Sequence, residues 1–181
     1  MCPSELHASP SQDAHRTRPE TLARIFEATV DRHGERPALE FEGRTFSYRE
    51  LEAAANRLAH RLIRLGLGSG CFVGVFLPRS AEMIVALLGI LKAGAAYVPM
   101  DPEYPSDRIE AILQDSGART LITTAEMARR APEGPWERLL LDGEATALKA
   151  CPDTRPAEGA GPADPCYAIF TSGSTGRPKG V

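Results

Sequence analysis

Four short apolar runs, CFVGVFL (71–77), AAYVPM (95–100), RTLIT (119–123) and RLLL (138–141), recur along the chain with helix-like segments between them. A chain that passes through a helix before starting its next strand returns to the same end of the sheet, so its strands run parallel. CFVGVFL is continuously apolar rather than alternating, which suits a strand covered on both faces. The fold class expected is α/β: a Rossmann-like parallel sheet flanked by helices. Such sheets bind ligands at the carboxyl ends of their strands.

The segments around these runs carry their own signals. Leu22, Ile25, Phe26 and Val30 are spaced for one helical face, with Gly34 as the stop. ALEFEGRTFSY (38–48) alternates around Glu42-Gly43 and reads as a hairpin. Ser47 followed by Glu50 has the capping-box form, and Leu51, Ala55, Leu58, Leu62 and Leu65 make a core-facing stripe that ends at Gly66. Ser80 is placed to cap a helix through Leu91 whose nearly all-round apolar surface implies burial. Ser106 is placed to cap a helix carrying Ile109, Ile112 and Leu113, and a short helix is expected near 124–130. Residues 142–165, rich in Pro, Gly, Ala and charge, read as a long surface connection. YAIF (167–170) is then the last strand.

With 181 residues, 43% of them hydrophobic and 25% charged, the chain can bury one sizeable core. Its net charge of -3 comes from interspersed acids and bases, so no basic face is expected for nucleic acid or an anionic membrane. The longest apolar run, Met83 to Leu91, is too short to span a bilayer. Residues 1–19 mix Pro, Ser, His and charge without an apolar core and read as a flexible tail ahead of a domain over 20–181. Cys2, Cys71, Cys151 and Cys166 are irregularly spaced, and His7, His15, His33 and His60 are scattered. They form neither a disulfide framework nor a metal site, and loose thiols suit a reducing cytoplasm.

The final strand empties into TSGSTGRPKG (171–180), at the end of the sheet where a ligand loop belongs. Gly173, Gly176 and Gly180 let the backbone turn so that amides can converge on an anion. Thr171, Ser172, Ser174 and Thr175 add hydroxyl donors, and Lys179 adds a point charge. Together these groups could wrap a di- or triphosphate. The spacing is not that of a Walker A loop, and Pro178 both removes one amide donor and restrains Arg177. Taken alone, the segment also fits a Gly/Ser linker with a solvated lysine.

Three stretches in order decide the matter. FSYREL (46–51), LKAGAAYVPMDPEYPSDRI (91–109) and YAIFTSGSTGRPKGV (167–181) resemble the first three core motifs of the adenylate-forming, or AMP-binding, enzymes, most closely the adenylation domains of nonribosomal peptide synthetases. The resemblance covers roughly residues 20–181. The SGSTG wording leans towards amino-acid activation, where acyl-CoA synthetases more often read SGTTG.

The resemblance implies that ATP and an amino acid, or another carboxylic acid, react to an acyl-adenylate and pyrophosphate, and that the acyl group passes to the thiol of a phosphopantetheinyl carrier protein. It assigns the β and γ phosphates to Thr171, Ser172, Gly173, Ser174, Thr175, Gly176 and Lys179, with Lys179 the catalytic residue. In the family, the substrate pocket, the adenine site, an acidic magnesium ligand and a second catalytic lysine all follow this loop. The chain is therefore expected to be an amino-terminal fragment, marginally folded and inert by itself, with magnesium held elsewhere in the full-length enzyme. Its methionine close to the first helix fits a stand-alone or loading adenylation protein. Two other readings stay open: a fragment of an acyl- or aryl-acid ligase, and a noncatalytic phosphate-binding remnant.

Overall fold

The structure, a computed structural model, describes residues 20–157, 159–171 and 179–180; the expected tail lies outside them. Helix α1 (Leu22–His33) starts at Thr21, whose hydroxyl accepts from the Arg24 amide, and stops at Gly34. The expected hairpin follows as β1 (Pro37–Phe41) and β2 (Arg44–Ser47), with Glu42 and Gly43 both at positive φ in the turn. Helix α2 (Tyr48–Arg64) opens with both halves of the capping box: Ser47 Oγ accepts from the Glu50 amide at 3.2 Å, and Glu50 Oε2 accepts from the Ser47 amide at 2.8 Å. Leu51, Ala55, Leu58 and Leu62 are buried along one stripe.

Strand β3 (Phe72–Val75), helix α3 (Ala81–Lys92), strand β4 (Ala96–Pro99), helix α4 (Ser106–Ser116), strand β5 (Thr120–Thr123), helix α5 (Ala125–Ala128) and strand β6 (Glu137–Leu140) complete the alternation. The four strands form one sheet in the order β4-β3-β5-β6, all parallel as expected. The chain steps from β3 to one side, then crosses to the other side for β5, and that reversal opens a crevice at the carboxyl ends.

Alternate residues of the strands build a core on each face. Val73, Val75 and Ile122 meet Leu58, Leu62, Ala86 and Ile90 of α2 and α3. On the other face Phe76, Val98 and Leu121 meet Ile109, Ile112 and Leu113 of α4. Helices α2 and α3 approach closely at Gly89, where an added Cβ would stand 2.9 Å from Cγ and Cδ2 of the fully buried Leu58.

The structure departs from the sequence reading at four places. Ser106 does not cap α4: Pro105 holds the cap position, with φ -58° and ψ 149°, and its carbonyl accepts from the Arg108 and Ile109 amides. Proline is locked near the extended φ a cap needs, so the helix begins one residue earlier than a serine cap would place it. On α1, Leu22 and Ile25 stay half exposed while Glu27 is buried, drawn in by Lys92. The 142–165 connection contains helix α6 (Ala145–Lys149) and buries Cys151. Finally, YAIF is not a full strand. Tyr167 makes one parallel bridge to Tyr97 at the outer edge of β4, and regular pairing resumes in β7 (Phe170–Thr171), which runs antiparallel to β8 (Lys179–Gly180).

Candidate phosphate-binding site

The site is built from the edge of the sheet outward. The Tyr97 amide donates to the Cys166 carbonyl at 3.2 Å, and the Ala168 amide donates to the Tyr97 carbonyl at 3.0 Å. These bonds lay the chain alongside β4 in parallel, so continuing it past Tyr167 carries Phe170 and Thr171 beyond the carboxyl end of that strand. The rings of Tyr97 and Tyr167 stack at 5.7 Å between centroids. Burial, with smaller effects from Cys166 and Tyr167, pushes the Tyr97 hydroxyl above its ordinary value.

Phe170 anchors the next step. Its side chain is buried in the same cluster as Phe76, Val98, Met100 and Ile109. Across the hairpin, Phe170 pairs with Gly180 and Thr171 with Lys179. A Cβ at Gly180 would stand 3.0 Å from Cζ of the Phe170 ring. Gly180 therefore serves close approach to an aromatic ring, not the turn that the sequence reading gave it.

The result is a clasp. Thr171 and Lys179 stand directly opposite each other, at the two ends of the segment 172–178. Thr171 is exposed at the neck of this loop, at the end of the sheet where ligands bind in doubly wound folds. Ser172, Gly173, Ser174, Thr175 and Gly176 lie outside the described residues. For Lys179 the backbone position is defined, and it puts the residue at the neck beside Thr171. Among the described residues, no group of three or more His, Cys, Asp or Glu could hold a metal ion, and no helix is long and apolar enough to cross a membrane.

Sequence reasoning missed a set of charged residues near the amino end of β4. Lys92, at the end of α3, is 3% exposed, and its Nζ donates to Glu27 Oε1 at 2.6 Å and to Glu52 Oε1 at 3.3 Å. Arg155 joins Glu52 to Asp31, and its hydrogen bonds hold the Asp31 carboxyl below the usual carboxylate range. Nothing local marks these residues, because their partners lie as far as 128 positions away in sequence.

The comparisons agree with this architecture. The family described as AMP-binding enzyme matches residues 26–181. Surfactin synthase subunit 3 of Bacillus subtilis (strain 168) is 43% identical over 174 residues, covering 95% of this chain but 13% of that protein. The N-terminal subdomain of Klebsiella oxytoca NpsA, in complex with 3-hydroxybenzoyl-AMSN, superimposes with a TM-score of 0.79 at 31% identity, covering 94% of this chain and 42% of that one. NpsA has also been solved in an artificial adenylation-PCP di-domain fusion, NpsA-ThdA, with a TM-score of 0.76 at 31% identity over 90% of this chain and 32% of that one. The nonribosomal peptide synthetase FmoA3, in its alpha-methyl-L-serine-AMP bound form, gives 0.80 at 30% identity, over 90% of this chain and 17% of that one. The chain thus spans less than half the length of each of these relatives and neighbours, and it belongs to the AMP-binding enzyme family, as a counterpart of the N-terminal portion of nonribosomal peptide synthetase adenylation domains.

Proposed function

We propose that this stretch serves an ATP-dependent amino-acid-activating ligase of nonribosomal peptide synthesis, one that forms aminoacyl-AMP and pyrophosphate and then loads a carrier-protein thiol. In the first step a carboxylate oxygen bonds to the α-phosphorus of ATP. The bond from that phosphorus to the oxygen bridging it to the β-phosphate breaks, and its electron pair leaves with pyrophosphate.

Negative charge grows on the departing group, so donors fixed in advance around it favour the transition state over the ground state. Thr171, Ser172, Ser174 and Thr175 supply hydroxyls, Gly173 and Gly176 supply amides that no Cβ obstructs, and Lys179 supplies the positive charge. Magnesium, when bound, would neutralise part of the phosphate charge, and its ligand is assigned outside this chain.

The observation that carries the reading is the β7–β8 clasp, which closes a Gly/Ser/Thr-rich loop at the carboxyl end of a parallel sheet. An amino-acid substrate is favoured by the SGSTG wording and by the aminoacyl-adenylate in FmoA3. A carrier-protein partner is favoured by the adenylation-PCP fusion of NpsA. Free Cys71, Cys151 and Cys166 suit a cytoplasmic setting. A second reading, activation of an aryl acid, is favoured by the 3-hydroxybenzoyl group in the NpsA complex.

ATP–pyrophosphate exchange, run with amino acids and with aryl acids on the full-length protein that contains this stretch, decides between them. Exchange driven by an amino acid is the expected result. Exchange driven only by an aryl acid would establish the second reading, and exchange with neither pool would overturn both.

A further inference from the structure

The chain between α6 and β7 does more than connect them. We propose that the described residues of 151–166 form a strap whose ionic lock, Arg155, positions the β7–β8 hairpin by fixing where the chain enters the edge of the sheet.

The strap is fastened along its whole course. At its start, Asn56 Nδ2 donates to the Asp153 carbonyl at 2.6 Å, and Arg57 pairs with the Asp153 carboxylate at 2.7 Å. At its centre, the Arg155 guanidinium is fully engaged: Nε donates to Glu52 Oε1 at 2.8 Å, while Nη2 donates to Asp31 Oδ1 at 2.7 Å and to the Glu27 carbonyl at 3.2 Å. Near its end, Ser69 Oγ donates to Asp164 Oδ2 at 3.0 Å.

The lock reaches the sheet through a shared partner. Glu52 Oε1 accepts from both Arg155 and Lys92, and Lys92 is the last residue of α3. Two residues on, Gly94 adopts φ +86° and packs so closely that an added Cβ would stand 3.0 Å from the Ala160 amide nitrogen of the strap. Ala95 then leads into Ala96, which opens β4, and Tyr97 of β4 receives Tyr167. One network therefore fixes both sides of the edge pairing: Lys92 and Gly94 set the start of β4, and Arg155 sets the strap laid against it. Three residues past that pairing, Phe170 enters the core and the loop begins.

An arginine suits this position because its planar fork can serve two carboxylates and a carbonyl at once, which the point charge of lysine cannot. The proposal rests on the functional reading above only where ATP is concerned.

The test compares Arg155→Ala and Arg155→Lys with the unaltered sequence, all in the full-length protein that contains this stretch, using Thr124→Ala as a control that weakens α5, a helix holding none of the strap's partners. Amide hydrogen exchange is read at 168–171 and 179–180 against β5 and β6, and ATP affinity is read by calorimetry. Arg155→Ala is expected to speed exchange at the hairpin about tenfold more than in β5 and β6, and to weaken ATP binding by about tenfold. Arg155→Lys should restore part of both effects, and the Thr124→Ala control should show neither. Exchange that rises evenly across the sheet, or not at all at the hairpin, would overturn the positioning role. If the hairpin loosens selectively but the unaltered full-length protein binds no ATP, the strap stands and the nucleotide reading falls.

Discussion

Two of the residues proposed to hold the phosphates stand opposite each other at the ends of the loop. Thr171 and Lys179 face each other across a two-residue hairpin, and the ring beneath Gly180 holds that hairpin to the core. Replacing Lys179 by alanine removes one of the loop's two positive charges, the other being Arg177, while leaving the backbone pairing in place. In the full-length enzyme, Lys179→Ala is expected to slow adenylation about tenfold to a thousandfold, the range for losing one preorganised donor. An unchanged rate of ATP–pyrophosphate exchange would remove Lys179 from the mechanism. The run of glycine, serine and threonine after an apolar stretch marked both residues in the sequence as candidates, and the roles given them remain proposals. Phe170 as the anchor for Gly180 was not legible, since the contact depends on how the hairpin folds back.

Helix starts separate what a local motif fixes from what its neighbours override. Ser47 and Ser106 look alike as caps, yet only Ser47 accepts a bond from the helix, because Pro105 occupies the cap of α4. Ser47→Ala is expected to cost about 1 kcal/mol and Ser106→Ala close to nothing, measured by urea unfolding. Equal losses would contradict the cap assignment. The capping box also gives a pH signature. Hydrogen bonds from the Ser47 amide and then its hydroxyl hold the Glu50 carboxyl below its ordinary value. A depressed carboxyl contributes stability above its unfolded value, about 4.3, and loses it as the pH falls through the folded value. Unfolding followed from pH 6 down to pH 3 should therefore show a shallower acid-side loss in Glu50→Gln than in the unaltered chain. At the contact of α2 with α3, Gly89→Ala improves helix propensity but drives a methyl into Leu58. Overpacking should win, with a net loss of about 1 to 3 kcal/mol in the same unfolding measurement, and a gain in stability would refute the close approach.

Across the whole molecule, α1, α2, α3 and the strap meet at one buried cation. Lys92 is almost fully enclosed between Glu27 and Glu52. Truncating it leaves Glu27 with Arg24 and Glu52 with Arg155 as the remaining counter-ions, so Lys92→Ala is expected to cost up to about 3 to 5 kcal/mol in chemical denaturation, more than any exposed pair could. A loss below about 1 kcal/mol would mean that water reaches the site. The sequence by itself determined the features that short-range physics controls. The hairpin turn, the capping box and the stripe of α2 follow from residues within one or two turns of each other, and the parallel strands follow from the alternation of apolar runs with helices. Only the tertiary structure decided the strand order β4-β3-β5-β6, the reduction of YAIF to a single bridge, and the burial of Glu27 and Lys92. Pairing at a sheet edge and charge in a core depend on partners distant in sequence, and no local propensity encodes which distant partner a residue will meet.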